Sequence, residues 1–305
     1  MLRQSENTVR IEGIVSEIDI NETTFTKNGE TKEAIGGKIT VRVTQDISGT
    51  ERELEIPVHC FATKITRKGT PNPAYESIKR VMTNFTSIAA AGGVEGADCI
   101  RITNGDLRMN EYYSQNGRLV SFPRVNSSFF QPVKKDELKQ EATFNIQMMV
   151  TGKTDEVGAD GDPTGRYIIN GAVVQYGDTV DAFKFYCESP GVINAVSNYW
   201  EVGDTVQAHG KLNFSSKTET IVEEAGFGDP IERSRTITVS EPIITGGSQE
   251  PLEGDLAYAD SEIRNGLAER KARLDRMKDA VESGANRIKT ASAPSKKAGF
   301  DDLGF

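Results

Sequence analysis

The sequence contains the same order of short strand-like segments twice. "VRIEGIVSEIDI", "IGGKITVRV" and "IPVHCFA" follow one another up to Cys60, and "FNIQMMVTGKTDEV", "INGAVVQY" and "AFKFYCES" follow one another up to Cys187. Val9 stands 28 residues before Gly37, and Phe144 stands 27 before Gly171. Within the segments apolar and polar residues alternate at period two, as in Ile39-Thr40-Val41-Arg42-Val43, so each strand has one inward and one outward face. Turn-forming stretches such as Lys27-Asn28-Gly29-Glu30 separate them. A helical stretch follows each triplet, near 73–82 and near 192–196. Each copy then closes through "VEGADCIRITNGDLRMNEYY" or "EVGDTVQAHGKLNF". Three strands, a helix and a closing hairpin is the order of a small Greek-key barrel, the OB-fold.

The expected fold is mainly β: two tandem OB-fold units, then a C-terminal helix and a flexible tail with an acidic tip. The boundaries are 1–135 for the first unit, 136–141 for a linker and 142–247 for the second unit. The helix takes 258–284 and the tail 285–305. In the helix, Asp260 or Ser261 is the expected cap and Gly284 the stop. Ile263, Leu267, Leu274, Met277 and Val281 form a thin apolar stripe that docks on a barrel or a neighbouring subunit.

Composition narrows the function. No apolar run approaches the roughly 20 residues of a membrane span, and the first ten residues lack the apolar stretch of a signal peptide. Cys60, Cys99 and Cys187 are three, far apart and without metal-ligand spacing, which reads as buried reduced thiols in a cytoplasmic protein. His59 and His209 have no neighbouring nucleophile or metal partner in sequence, and no phosphate-loop motif occurs. Asp160 and Asp162 faintly resemble a calcium loop, but Gly171 stands where its bidentate Glu belongs, so a solvated turn is expected. Neither an enzyme, a cofactor nor a metal is expected.

The net charge of −9 is unevenly spread: residues 1–135 carry 18 bases against 16 acids, and residues 140–245 carry 7 against 16. A phosphate-binding surface therefore belongs to the first unit. Its closing hairpin gathers Arg101, Arg108, Tyr112, Tyr113, Arg118, Phe122 and Arg124. The loop between its first two strands has Phe25, Lys27 and Lys32, its second strand shows Lys38 and Arg42 on one face, and Lys64, Arg67 and Lys68 cluster after "HCFA". Cations along a backbone and flat rings for bases are what an unpaired strand needs. Tyr112 and Tyr113 are adjacent in a strand, so only one faces the binding side. Tyr199 and Trp200 follow a helix and are read as packing under the second barrel.

The stretch "GADCIRITNGDLRMNEYYSQNGRLVSFPRVNSSFF", Gly96 to Phe130, resembles the closing half of bacterial and phage single-stranded DNA-binding proteins, and "VGDTVQAHGKL", Val202 to Leu212, resembles the same element. The final "DDLGF" is similar to that family's acidic tip, which ends in acids followed by Ile-Pro-Phe; here Gly304 takes the proline's place. The common bacterial members have one barrel per chain where this chain reads as two. The resemblance implies a non-enzymatic protein that coats single-stranded DNA during replication, recombination and repair. It further implies that Asp301, Asp302, Leu303 and Phe305 recruit partner enzymes. A phage-encoded chain acting in the bacterial cytoplasm, and assembly into a homo-oligomer, fit the same resemblance. The alternatives are an OB-fold protein-interaction module or an RNA-binding protein.

Overall fold

The computed structural model describes residues 2–27, 29–114, 116–223 and 231–283. Strands β1 (Asn7–Lys27), β2 (Glu30–Ile47) and β3 (Thr50–Thr63) lead through helix α1 (Pro73–Asn84) and the one-turn α2 (Ile88–Ala91) to β4 (Cys99–Tyr113) and β5 (Leu119–Asn126), with β6 (Gln131–Val133) on the edge of β4. The order repeats in β7 (Glu141–Val157), β8 (Pro163–Val174), β9 (Val180–Cys187), α3 (Pro190–Tyr199), β10 (Thr205–Glu223) and β11 (Ile231–Gly247), followed by α4 (Asp260–Glu282).

Both copies close in the same way. β1, β2 and β3 pair in sequence, β3 meets β5 in parallel at Val58–Val125, and β4 pairs with both β5 and β1. In the second copy β9 meets β11 in parallel at Tyr186–Ile243, and β10 pairs with β11 and β7. This is the five-stranded OB topology twice over. One strand serves two sheets because β1 has a bulge between Val15 and Glu17: its first half runs along β4 and its second along β2. Gly37 sits where β2 presses onto that bent strand. Its φ is +153°, and a Cβ there would stand 2.0 Å from the Asp19 carbonyl oxygen. Gly171 of the second copy is also confined, with Met148 Sδ 2.3 Å from the place of a Cβ, but the register sets it opposite Val150 just before the matching bulge, where the first copy has Val41.

Alternation sets the core. Ile39, Val41 and Val43 of β2 and Leu54, Ile56, Val58, Cys60 and Ala62 of β3 point inward, and Lys38, Thr40, Arg42, Pro57, His59 and Phe61 point out. Helices plug one end of each barrel: α1 with Tyr75, Ile78 and Val81, α3 with Val196 and the adjoining Trp200. The α1 entry is built by Asn72, whose Oδ1 accepts the Ala74 N–H at 3.1 Å, with Pro73 at the first helical position. Trp200 is buried and donates its indole N–H to the Ser248 carbonyl at 2.7 Å. Tyr199 differs from expectation. It lies on the solvent side of α3, 48 % exposed, because the helix turns by about 100° per residue and only one of two adjacent rings can face the barrel.

The barrels are joined edge to edge. β1 pairs antiparallel with β7 from Asn7–Ile146 to Glu12–Glu141, so β10, β7, β1 and β4 run as one continuous sheet. The joint has approximate two-fold symmetry that shows in reciprocal contacts. Gln45 donates to the Leu212 carbonyl at 3.1 Å, and Gln175 donates to the Leu107 carbonyl at 3.0 Å. Leu107 and Leu212 hold matching places in "GDL" and "GKL".

Helix α4 breaks the symmetry. Its first turns bury Ile263 in a second apolar cluster with Met149, Val174, Val180 and Tyr258, with Leu267 half-covered. Gly266 lets it lie flat on β9, since a Cβ there would meet Val180 Cγ2 at 2.2 Å. Farther along, Arg270 and Arg273 both reach Glu111 of β4, a carboxylate only 3 % exposed. The apolar stripe is half used: Leu274 is buried and Met277 is 38 % exposed. The helix runs from Asp260, inside the expected 258–284 span, and neither expected cap, Asp260 or Ser261, holds the cap position. Ala259 is the cap residue without a side-chain bond, and Asp260 lies inside the first turn, paired with Arg264 at 2.8 Å. An acid there still complements the helix dipole. Gly284 lies outside the described residues, as do Asp301, Asp302, Leu303 and Phe305.

Replacing Gly266 by Ala should push α4 off β9. Overpacking of this kind costs about 1–3 kcal/mol, so urea unfolding should show that loss and hydrogen exchange should rise in α4. An unchanged stability with unchanged exchange would contradict the close packing.

Candidate nucleic-acid interface

The first barrel has an open groove of about 680 Å³ across the ends of β3, β4 and β5 and the loop after β5. Period two turns Phe61 outward from β3, where it is 58 % exposed, and Phe129 of the loop is 48 % exposed. Large exposed rings are costly surface unless something covers them. Phe25 of β1 stands beside Phe61, ring centroids 6.2 Å apart. The loop is pinned to β3 by the Ser127 N–H donating to the His59 carbonyl at 2.9 Å, which fixes Phe129 at the groove.

Cations converge on the same place. Arg108 and Arg124 face each other directly across β4 and β5, an arrangement that repels in a sheet. Asp106 offsets one of them, 2.7 Å from Arg108 Nε. Arg124 donates to Asn110 Oδ1 at 3.3 Å, and its buried Nε has no hydrogen-bond partner among the described residues. Lys38 lies across the ladder from His59. Burial, then the nearby Arg124 and Lys38, hold the His59 pKa below its ordinary 6.5. Burial is the larger cause, and the added push from two neighbouring cations marks a locally positive site. The groove thus has rings, unsatisfied positive charge and the hydroxyl-bearing Ser127 and Ser128, and chemically it suits an anion attached to flat rings.

Of the residues chosen from sequence, Arg108 and Arg124 line this groove, and Phe25 and Lys38 flank it. Lys38 is also 3.6 Å from Glu17. Lys32 pairs across the hairpin with Phe25 and contacts Glu30, and Lys27 faces Glu30 at the hairpin end. Others are drawn elsewhere by acids. Arg42 binds Glu55 at 2.7 Å and Glu53 at 3.8 Å, and this pairing raises its pKa. Lys64 binds Glu33 at 2.6 Å near α1. Arg101 binds the buried Glu12 at 2.6 Å on the sheet surface beside β6. Arg67 and Lys68 lie in the β3–α1 turn, and Arg118 just past the β4–β5 turn; none of the three makes an ion pair among the described residues. Tyr112 is 46 % exposed while Tyr113 faces the other way, and Tyr112 and Phe122 line a second cleft between the barrels.

Sequence reasoning passed over His59, Phe61 and Phe129. The signal for Phe61 was present: with Val58, Cys60 and Ala62 inward, an aromatic at 61 must stand on the solvent face.

Among the described residues no group of three or more His, Cys, Asp or Glu side chains is placed to hold a metal ion. Cys60, Cys99 and Cys187 are unbridged and buried, and burial pushes the Cys60 and Cys187 thiols up to about 12. No described helix is long and apolar enough to cross a membrane.

The YorF family model matches residues 5–280. No match emerges among curated proteins. Among solved structures, the chain is similar to the wild-type single-stranded DNA binding protein from Thermus aquaticus, at 11 % identity and a TM-score of 0.48, over 85 % of this chain and 99 % of that one. A deletion mutant of the same Thermus aquaticus protein aligns at 12 % identity and a TM-score of 0.42, over 82 % of this chain and 97 % of that one.

The His59 environment is directly measurable. Proton NMR should show His59 titrating below 6.5, and Arg124→Gln should move it upward, because removing a neighbouring cation favours the imidazolium. A midpoint unmoved by the substitution would mean that Arg124 does not face the ring.

Proposed function

We propose that the chain, which belongs to the YorF family, is a single-stranded DNA-binding protein whose first barrel holds the strand. The observation that carries this reading is the pairing, in one groove of an OB barrel, of two exposed rings, Phe61 and Phe129, with the opposed Arg108 and Arg124. Stacking supplies roughly 1–3 kcal/mol per base and is nearly blind to sequence, so the protein coats unpaired DNA with little specificity. Phosphates relieve the repulsion between the two arginines and satisfy Arg124. Lys38, Phe25 and Lys32 extend the track toward the β1–β2 hairpin, with Lys27 at its tip; Arg118 and Tyr113 belong to the opposite, β4–β5 hairpin. Arg42, Lys64 and Arg101 act in the fold through their ion pairs, and Arg67 and Lys68 lie beside the track.

The protein works without catalysing a reaction and needs no cofactor. The acidic tip, Asp301, Asp302, Leu303 and Phe305, has the composition of a segment captured by a pocket with basic walls, so recruitment of replication and recombination enzymes in the bacterial cytoplasm completes the reading.

Fluorescence anisotropy with labelled oligo-dT tests it. Phe61→Ala and Phe129→Ala should each weaken binding roughly 5- to 100-fold, from the loss of one stacking partner. Arg108→Ala should lower the salt slope by about 0.7, one phosphate contact on a single strand. A chain ending at Lys297 should bind at least as well as the full one. Affinity should also rise as pH falls through the range in which His59 titrates. Phosphate beside His59 raises its pKa above the depressed free value, so binding takes up a proton between the two. His59→Gln should flatten that dependence. Wild-type affinity in both phenylalanine variants would contradict the proposal.

A further inference from the structure

A second cleft of about 1070 Å³ separates the β4–β5 hairpin of the first barrel from β8, β9 and the 238–241 stretch of β11 in the second, with Glu241 in its wall and Arg270 of α4 at its rim. Its walls are chemically mixed. Tyr112, Val120 and Phe122 come from the hairpin, and Lys184 and Tyr186 from β9. Lys184 is exposed and makes no ion pair among the described residues.

The two cavities share one wall. On the hairpin, the cross-strand pairs Arg108–Arg124, Asn110–Phe122 and Tyr112–Val120 alternate onto one face. The first pair lines the first-barrel groove, and Phe122, Tyr112 and Val120 line the cleft, joined there by Met109, Ser121 and Pro123 from the alternate positions of the hairpin. Four residues of strand separate Arg108 from Tyr112, about 13 Å. A chain seated on the opposed arginines therefore meets a ring at Phe122 and another at Tyr112 without leaving that face. Across the cleft Lys184 supplies the next cation.

The pseudo-symmetry explains why this face differs from its counterpart. Aligning Cys187 with Cys60 places Tyr186 where the first barrel has His59, and Glu188 where it has Phe61. Glu188 is engaged by Arg52 at 2.8 Å and by Arg166 at 4.0 Å, and Arg166 covers the Tyr186 ring at 4.3 Å. The second barrel has no exposed ring of its own at that position; Tyr112 and Phe122 of the first barrel's hairpin line the same cleft as Lys184.

We propose that the cleft is a second station for the same single strand, entered along the β4–β5 hairpin, with Tyr112 stacking a base and Lys184 meeting its phosphate. The proposal rests on the single-strand reading of the first barrel and adds the second barrel to the site. Its occupant is the continuation of a bound strand, so a short oligonucleotide does not use it.

Anisotropy with two oligo-dT lengths tests this on the full chain. A strand of about 6 nucleotides is within the range held by one OB fold, and one of about 20 exceeds it. Lys184→Glu and Tyr112→Ala should each weaken the long strand about tenfold and leave the short one within about twofold. Lys184→Glu should also lower the salt slope for the long strand alone. Phe61→Ala, in the first-barrel groove, should weaken both lengths. Long-strand binding unchanged in the Lys184 and Tyr112 variants, with the Phe61 effect intact, would overturn the second station and leave the first-barrel reading standing. Equal weakening at both lengths would also overturn it, because the two residues would then act on the first groove. No binding of either length by the wild-type chain would remove both.

Discussion

The rest of the molecule depends on six residue pairs between two strand edges. β1 and β7 are each the first strand of a barrel, and their antiparallel pairing turns two small domains into one sheet-linked body. An OB barrel of about 100 residues exposes these edges if it stands alone, and an unpaired edge invites aggregation. Here each edge satisfies the other. The pairing also imposes the approximate two-fold relation, as an isologous interface does between separate subunits. Gln45 and Gln175 then close the same hydrogen bond in both directions, to Leu212 and Leu107.

Symmetry in the backbone leaves the side chains free to diverge, and the proposed strand-binding surface lies in that divergence. On β3 the outward positions beside Cys60 are His59 and Phe61; beside Cys187 they are Tyr186 of β9 and Glu188 just past its end. The first face keeps cations without enough acids, and the second face neutralises its arginine with Glu156, Glu188 and Glu241. Opposed arginines weaken a hairpin. The same hairpin is held from its other face, where the buried Glu111 receives Arg270 and Arg273 from α4 and the Met109 N–H donates to Asp181 at 3.1 Å. Burial raises the pKa of Asp181, and the nearby Glu111 adds to the shift. The molecule therefore supports an electrostatically unfavourable groove with anchors placed behind it.

Much of the fold was legible because it follows from local pattern. Period-two alternation identified the strands, and Pro73 and Pro190 stand at the starts of the two plugging helices; the near-equal spacing to Gly37 and Gly171 is not a structural match, since Gly37 lies opposite Ile20 beyond the β1 bulge and Gly171 opposite Val150 before the β7 bulge. The seam was not legible. Whether Val9 faces Gly105, Phe144 or both is a question of long-range register, and strand composition alone does not answer it. Register also decided which cations stay available. Arg42 and Lys38 lie on one face of β2, yet Arg42 has Glu55 directly opposite and 2.7 Å away, whereas Lys38 has His59 opposite and meets its acid, Glu17, at 3.6 Å. Phe61 was legible from the alternation of β3, whereas Phe129 was not, because it lies in the loop after β5, where no strand period fixes its direction.

The account's central claim is that an unpaired strand lies in the first-barrel groove. Ultraviolet cross-linking of oligo-dT to the full chain, followed by peptide mapping, locates the contact without any substitution. Cross-links at Phe61 and Phe129 are the predicted result. Cross-links absent from both residues and confined to the Tyr199 side of the second barrel, or none at low salt, would contradict it.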